Sequence, residues 1–281
     1  MTPAQAKDYK AQIADLYSRR SDSYDSSAWH AQIARKLVDL SGIRSGANML
    51  DICTGTGMVA LYAAEKIGSK GSIIGVDISE GMLKKAHANA ISAGIVNVSF
   101  AYGDGEHLDF PPDSFDTIFC SSAFIWMTDL THSLTRWKDL LKPGGKLGFH
   151  AFSETAFVSG VVAQAVLSKY GVDYQMNRPA GSVDKCHALM ECSGFRNIRI
   201  EVDASSNYIS LEEARRAWVG VSHPAPGQYP HPLSALLPAE LDAAYADYIR
   251  EMERRNGACG IRNDMTVFYV FGEKALAGLT A

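Results

Sequence analysis

From Asn48 onward the chain alternates short β-like runs with helical patterns. More than any other feature, this alternation restricts it to parallel strands joined by crossover helices. The runs cover residues 49–53, 72–77, 98–102, 115–120 and 146–152, with helices expected over 58–67, 80–93 and 130–141. Lys142-Pro-Gly-Gly145 stops the last of these helices, since proline cannot continue a helix and glycine admits the turn that closes one. A further helix over 183–193 is followed by runs at 195–202 and 265–272, giving about seven strands. Before the first strand come two helices, 4–20 and 28–41, with a polar linker over 21–27.

Two stretches, 153–181 and 203–263, break the alternation. Connections of that length carry helices of their own or act as lids, and 210–219 and 238–255 do show helical spacing. The expected fold class is α/β: a Rossmann-like, seven-stranded, mostly parallel sheet with helices on both faces and an antiparallel last strand. Residues 1–45 would form an N-terminal helical cover. The core would take 46–202 and 264–275, with a small insertion at 153–181, and 203–263 would be a substrate lid.

A chain of 281 residues can bury a sizeable core. Its formal charge of −4, with no basic run, points away from nucleic acid and toward a small, roughly neutral partner. No stretch approaches a membrane span and the N-terminus has no signal-peptide texture, so a cytoplasmic protein is expected. Five scattered cysteines, without a Cys-x-x-Cys pair, suggest free thiols and no metal site. Whether the chain forms a homo-oligomer is left open.

Ligands of open α/β sheets bind at the carboxyl ends of the strands, which directs attention to Asp51-Ile-Cys-Thr-Gly-Thr-Gly57. Gly55 and Gly57 let backbone approach a bound molecule closely, but their spacing to Ala60 also suits a dinucleotide. Asp51 separates the two readings. A carboxylate there would repel a pyrophosphate and attract the ammonium of S-adenosylmethionine. Asp77, closing Ile73-Ile-Gly-Val-Asp77, can accept both ribose hydroxyls, and Asp104 can accept the adenine amino group's hydrogen bond or simply close an Asx turn.

Together with Gly75-Val-Asp-Ile-Ser-Glu-Gly-Met-Leu83, Gly103-Asp-Gly-Glu-His-Leu-Asp-Phe110, Asp113-Ser-Phe-Asp116 and Leu141-Lys-Pro-Gly-Gly145, that segment resembles the class I S-adenosylmethionine-dependent methyltransferases. It looks most like the branch of ubiquinone/menaquinone-biosynthesis and small-molecule methyltransferases. The resemblance covers residues 10–152 most strongly. It implies that Asp51, Gly55 and Gly57 hold the methionine moiety, Asp77 the ribose, Ile78 and Met82 the faces of adenine, and Asp104 with Gly105 its edge. Ser121 would present backbone to the amino-acid part. Tyr24-Asp25 matches a Tyr-Asp pair of the family's cover segment, so Tyr24, with Tyr17 nearby, would close over the carboxylate or sulfonium end, or else pack the cover onto the core. Cys53 would be packing.

The resemblance says little about the acceptor. Where the quinone enzymes commonly have Arg-Asn, this chain has Phe124-Ile-Trp-Met127, which counts against a quinone precursor. The acceptor would be a small, largely apolar or aromatic biosynthetic molecule, methylated on O, N or C. The alternatives are a cyclase or rearrangement enzyme that uses the same cofactor, or a non-catalytic binding protein. Because in-line displacement from a sulfonium can proceed by proximity alone, a base is optional. His150 is the candidate for one, or else a histidine that shapes the pocket. Phe124, Trp126, Phe152, Tyr208 and Trp218 are candidate pocket walls, Trp218 being otherwise an ordinary helix core residue, and His223 and His231 of the Pro-rich insertion would fold over the acceptor or else be solvated loop histidines. Cys186 and Cys192 do not share a helix face and do not suggest a thiol site.

Overall fold

The computed structural model describes residues 1–26, 28–218 and 224–276. Helices α1 (Pro3–Tyr24) and α2 (Ala28–Ser41) come first. Then follow β1 (Asn48–Ile52), α3 (Met58–Ile67), β2 (Ser72–Asp77), α4 (Glu80–Ala93), β3 (Val98–Tyr102), β4 (Phe115–Cys120), α5 (Leu130–Leu140) and β5 (Leu141–Phe152). The remainder is α6 (Val158–Ser168), α7 (Val183–Cys192), β6 (Arg196–Asp203), β7 (Ser206–Ile209), α8 (Leu211–Arg216), α9 (Pro238–Arg255), β8 (Ile261–Asp264) and β9 (Val267–Glu273).

Seven strands form one sheet in the order β3-β2-β1-β4-β5-β9-β6, with β9 antiparallel to both neighbours. The order reverses between β1 and β4, the switch point at which open α/β sheets bind ligands. Alternation along β1 divides its side chains between two cores. Leu50 and Ile52 pack with Tyr9, Trp137 and Met190 on one face, and Met49 packs with Leu37, Ala63 and Phe119 on the other. No helix among the described residues is long and apolar enough to cross a membrane.

Three expectations change. Helix α1 has no break at 21 and runs through Tyr24. It starts from a capping box in which Thr2 accepts from Gln5 N and Gln5 reaches back, with Pro3 at the first helical position. Two of its serines are accommodated by bonding back one turn, Ser21 Oγ donating to the Ser18 carbonyl at 2.9 Å and Ser23 Oγ to the Arg20 carbonyl at 3.3 Å. The Lys142–Gly145 segment does end α5, but it already belongs to β5, with a register shift opposite Phe115 and Thr117.

The third change joins the two irregular stretches. Val162, Val166 and Leu167 of α6 pack with Ala244, Tyr248 and Met252 of α9 and with Ile261 in a separate hydrophobic cluster. β7 and β8 pair as a small antiparallel sheet beside it. The expected small insertion and lid are therefore parts of one accessory unit.

Cover helix α1 lies across α4. Ser18 Oγ meets Ser79 Oγ at 2.8 Å, and a Cβ on Gly81 would sit 2.8 Å from Ser18 Cα. Backbone cannot yield there as a flexible side-chain tip would. Gly81→Ala should thus lift α1 at a cost of about 1–3 kcal/mol. Hydrogen exchange should show deprotection over residues 3–24 with the sheet still protected, and unchanged exchange in α1 would refute the packing argument.

Candidate functional site

The carboxyl ends of β1, β2 and β4 open beneath α1 and α2. The glycine loop after β1 turns through left-handed backbone at Cys53, Gly55 and Gly57, with φ of 55°, 57° and 88°. Gly57 thereby caps the start of α3. The loop is tied down on both sides. Gly55 N–H donates to Asp77 Oδ2 at 2.8 Å, and Thr56 Oγ1 donates to Asp25 Oδ1 at 2.5 Å. Asp25 also accepts from Asn89 at 2.9 Å, so the end of α1 is fastened over the loop.

A cavity of about 590 Å³ lies here. Of the ten residues expected around the cofactor, Tyr24, Gly55, Asp77, Ile78, Met82, Asp104, Gly105 and Ser121 line it. A smaller cavity of about 330 Å³ shares Tyr24, Cys53, Gly55 and Ser121 with the first and adds Asp51. Gly57 lines neither and acts by shaping the turn.

Asp51 is buried, and its Oδ2 accepts from Thr54 Oγ1 at 2.6 Å and Ala60 N at 3.2 Å. Among the described residues no lysine or arginine pairs with it. Burial, aided by the Asp77 charge and only partly offset by those two bonds, raises its pKa to about 7. A buried carboxylate without a paired cation is stabilised in its charged form by a bound one, and an ammonium group meets that requirement. Burial also raises the pKa of Asp77 against bonds from the Ser79, Gly55 and Ile78 amides.

The residues missed at the level of sequence come from the cover. Lys10 of α1 bonds Asp104 Oδ1 at 2.8 Å and pairs with Glu106 Oε2. Asp104 further accepts from Glu106 N at 3.1 Å and contacts His107 Nδ1 at 3.0 Å. Burial raises the Asp104 pKa, but the Lys10 bond and charge outweigh it and the net shift is downward. Ile13 and Lys10 line the larger cavity together with Tyr17, whose ring meets Trp126 edge-on at 6.0 Å. Nothing in the local pattern of α1 marks these positions, because their partners lie some ninety residues away.

His150 is buried on β5, behind Ser121 and Ser122, and lines neither cavity. Burial, and secondarily the nearby His30, pushes its pKa down to about 3, so it stays neutral and is a weak base. It is instead placed to support the Ser122 turn, whose φ is 59°, by accepting from Ser122 N at 3.4 Å.

Among the expected pocket walls, Trp126 lines the larger cavity. Phe124 turns inward, 4.3 Å from Phe149 and 6.0 Å from Trp137 between ring centroids, and belongs to the core. Phe152 stands behind Trp29, 5.7 Å away. Tyr208, on the small sheet, is 56% exposed. Trp218 packs on Tyr245 and Tyr248 of α9. His231 accepts from Leu233 N within the accessory unit, and His223 lies outside the described residues. Buried Cys186 bonds the Ala180 carbonyl, and Cys192 is exposed.

Residues 5–173 match the model of the ubiE/COQ5 methyltransferase family. Over 147 residues the chain is 35% identical to aklanonic acid methyltransferase DauC of Streptomyces sp. (strain C5), spanning 52% of this chain and 67% of that protein. Over 135 residues it is 35% identical to nocamycin O-methyltransferase of Saccharothrix syringae, spanning 47% of this chain and 48% of that one. The chain thus spans about half to two thirds of the length of these curated relatives. The crystal structure of a SAM dependent methyltransferase from Aquifex aeolicus shares the fold, with a TM-score of 0.54 at 14% identity, covering 92% of this chain and 98% of that one.

Proposed function

Because the chain belongs to the ubiE/COQ5 methyltransferase family, we propose that it transfers the methyl group of S-adenosylmethionine to an O, N or C atom of a small, largely apolar or aromatic molecule. The observation that carries this reading is the convergence of Asp77, Ile78, Met82, Asp104 and Gly105 on one cavity, with Asp51 on a second cavity that shares Tyr24, Gly55 and Ser121 with it. Bound there, the cofactor would supply an electrophilic methyl on a sulfonium. Asp51 would hold the ammonium, Asp77 the ribose hydroxyls, and Ile78 and Met82 the adenine faces.

Tyr17, Tyr24 and Trp126 would exclude water and present π-faces that favour a cation. With His150 held neutral by burial, the protein's contribution is positioning, not deprotonation by that histidine. The accessory unit reaches the cover through its loop, where Gly227 N–H donates to Tyr9 OH at 2.7 Å. That contact supports a lid role for it. The relatives named for aklanonic acid and nocamycin support a small-molecule acceptor, and their names favour methyl transfer over the cyclase alternative. Calorimetry with S-adenosylhomocysteine should show binding, and labelled methyl should appear on at least one member of a panel of phenols and carboxylic acids. Absence of both would overturn the reading.

A further inference from the structure

One polar group of the site lacks a protein partner. His30, in the first turn of α2, is stacked between two rings, with Trp29 at 3.8 Å and Tyr24 at 4.6 Å between centroids. Its Nδ1 is buried and makes no hydrogen bond among the described residues. The ring lines the smaller cavity, as do Asp51, Thr56 and Ser121. A buried nitrogen without a partner is costly and calls for an explanation. The aromatic sandwich holds the imidazole so that it cannot turn away to find a partner elsewhere.

The contents of that cavity follow from its neighbour. Asp77, Ile78, Met82 and Asp104 line the larger cavity and suit the adenosine half of the cofactor, whereas none of the four lines the smaller one. The smaller cavity is then left to the amino-acid end, which carries an ammonium and a carboxylate. Asp51 answers the ammonium. The carboxylate needs donors, and His30 Nδ1 is the buried polar atom there with its bonding capacity unspent.

We propose that His30 is a cofactor-binding residue whose Nδ1–H donates to the carboxylate of S-adenosylmethionine. This rests on the functional reading above. His30 and Asp51 together would then recognise the two charges of an amino acid, and molecules lacking that group would not sense His30. Burial, and after it the Arg20 charge, lowers the His30 pKa to about 4, so in the protein alone the ring is neutral.

The test compares two probes by calorimetry: S-adenosylhomocysteine, which has the amino-acid end, and 5′-methylthioadenosine, which does not. His30→Phe keeps the ring stack and removes the donor, while His30→Asn restores a donor near the same place. His30→Phe should weaken S-adenosylhomocysteine about ten- to a hundredfold and 5′-methylthioadenosine less than about twofold, with His30→Asn recovering part of the loss. Retained 5′-methylthioadenosine binding also shows that the variant is folded. Equal weakening of both probes would make His30 a packing residue, and no weakening of either would place the carboxylate elsewhere; both results overturn the proposal. A native protein that binds neither probe would overturn the cofactor reading itself, and the His30 assignment with it.

Discussion

Asp51→Asn should weaken S-adenosylhomocysteine binding by roughly a hundredfold, about 2–3 kcal/mol, while leaving the empty protein at least as stable as before. The asymmetry follows from the bonding. Among the described residues both hydrogen bonds to the Asp51 carboxylate fall on Oδ2, so an amide oxygen can accept them from Thr54 and Ala60. What the amide lacks is the charge that an ammonium requires. The sign of the stability term follows from the raised pKa of about 7. A carboxyl shifted upward on folding contributes fully below its unfolded value of about 4 and loses that contribution as pH rises through the folded value. Asparagine removes this loss, so thermal melts at alkaline pH should show the variant equal to or above the native protein. Ligand binding runs the other way, because only ionised Asp51 holds an ammonium. Native affinity should fall as pH drops below about 7, by up to about tenfold per unit, and Asp51→Asn should flatten that dependence. Unchanged affinity in the variant would remove Asp51 from the site.

The largest stability effect is expected at Glu106. Its Oε1 accepts from Thr128 N at 2.9 Å, Thr128 Oγ1 at 3.0 Å, Asp129 N at 3.1 Å and Ser133 Oγ at 3.2 Å, and its Oε2 pairs with Lys10. One side chain thus binds the loop after β3, the start of α5 and the cover helix. Glu106→Ala would strand buried donors together with a cation and should cost about 3–5 kcal/mol in urea denaturation. Burial raises the Glu106 pKa, but Lys10 and the backbone donors outweigh it, so the net shift is downward. Its contribution is therefore present above the unfolded value and is lost as pH falls through the folded one. A loss below about 1 kcal/mol would mean that water replaces the carboxylate and that the network is not structural.

Asp51 and Glu106 differ in how visible their roles are in the sequence. Asp51 stands in a strand-loop-helix segment whose period and glycines identify it, because everything that defines its surroundings lies within a few residues. The seven strands of the sheet are legible for the same reason. Glu106 and Lys10 gain their roles from each other, and neither helical spacing nor composition records a pairing across about ninety residues. Aromatic identity is likewise silent about direction. Trp126 and Phe124 belong to the same short turn, yet one faces the cavity and the other the core. The strands β7 and β8 are illegible in the sequence because Ser-Asn-Tyr-Ile and Ile-Arg-Asn-Asp carry too little alternation to declare themselves. Nothing in the sequence singles out His30, because one histidine in a helix has no pattern. Its meaning comes from the rings on either side.

The sheet's connectivity has a consequence for how the molecule comes together. Among the described residues β6 joins the sheet through β9 alone, so it has no ladder partner until the last strand arrives. Loop closure over a long flexible chain is entropically slow and costly. Here the described parts of the intervening chain are structured, because α8, α9, β7 and β8 all lie within it and contribute to the accessory cluster. A unit that condenses early would shorten the effective loop and deliver β9 to the gap between β5 and β6. On that view the accessory unit is also an assembly aid, a folded bridge that brings distant ends of the chain into register.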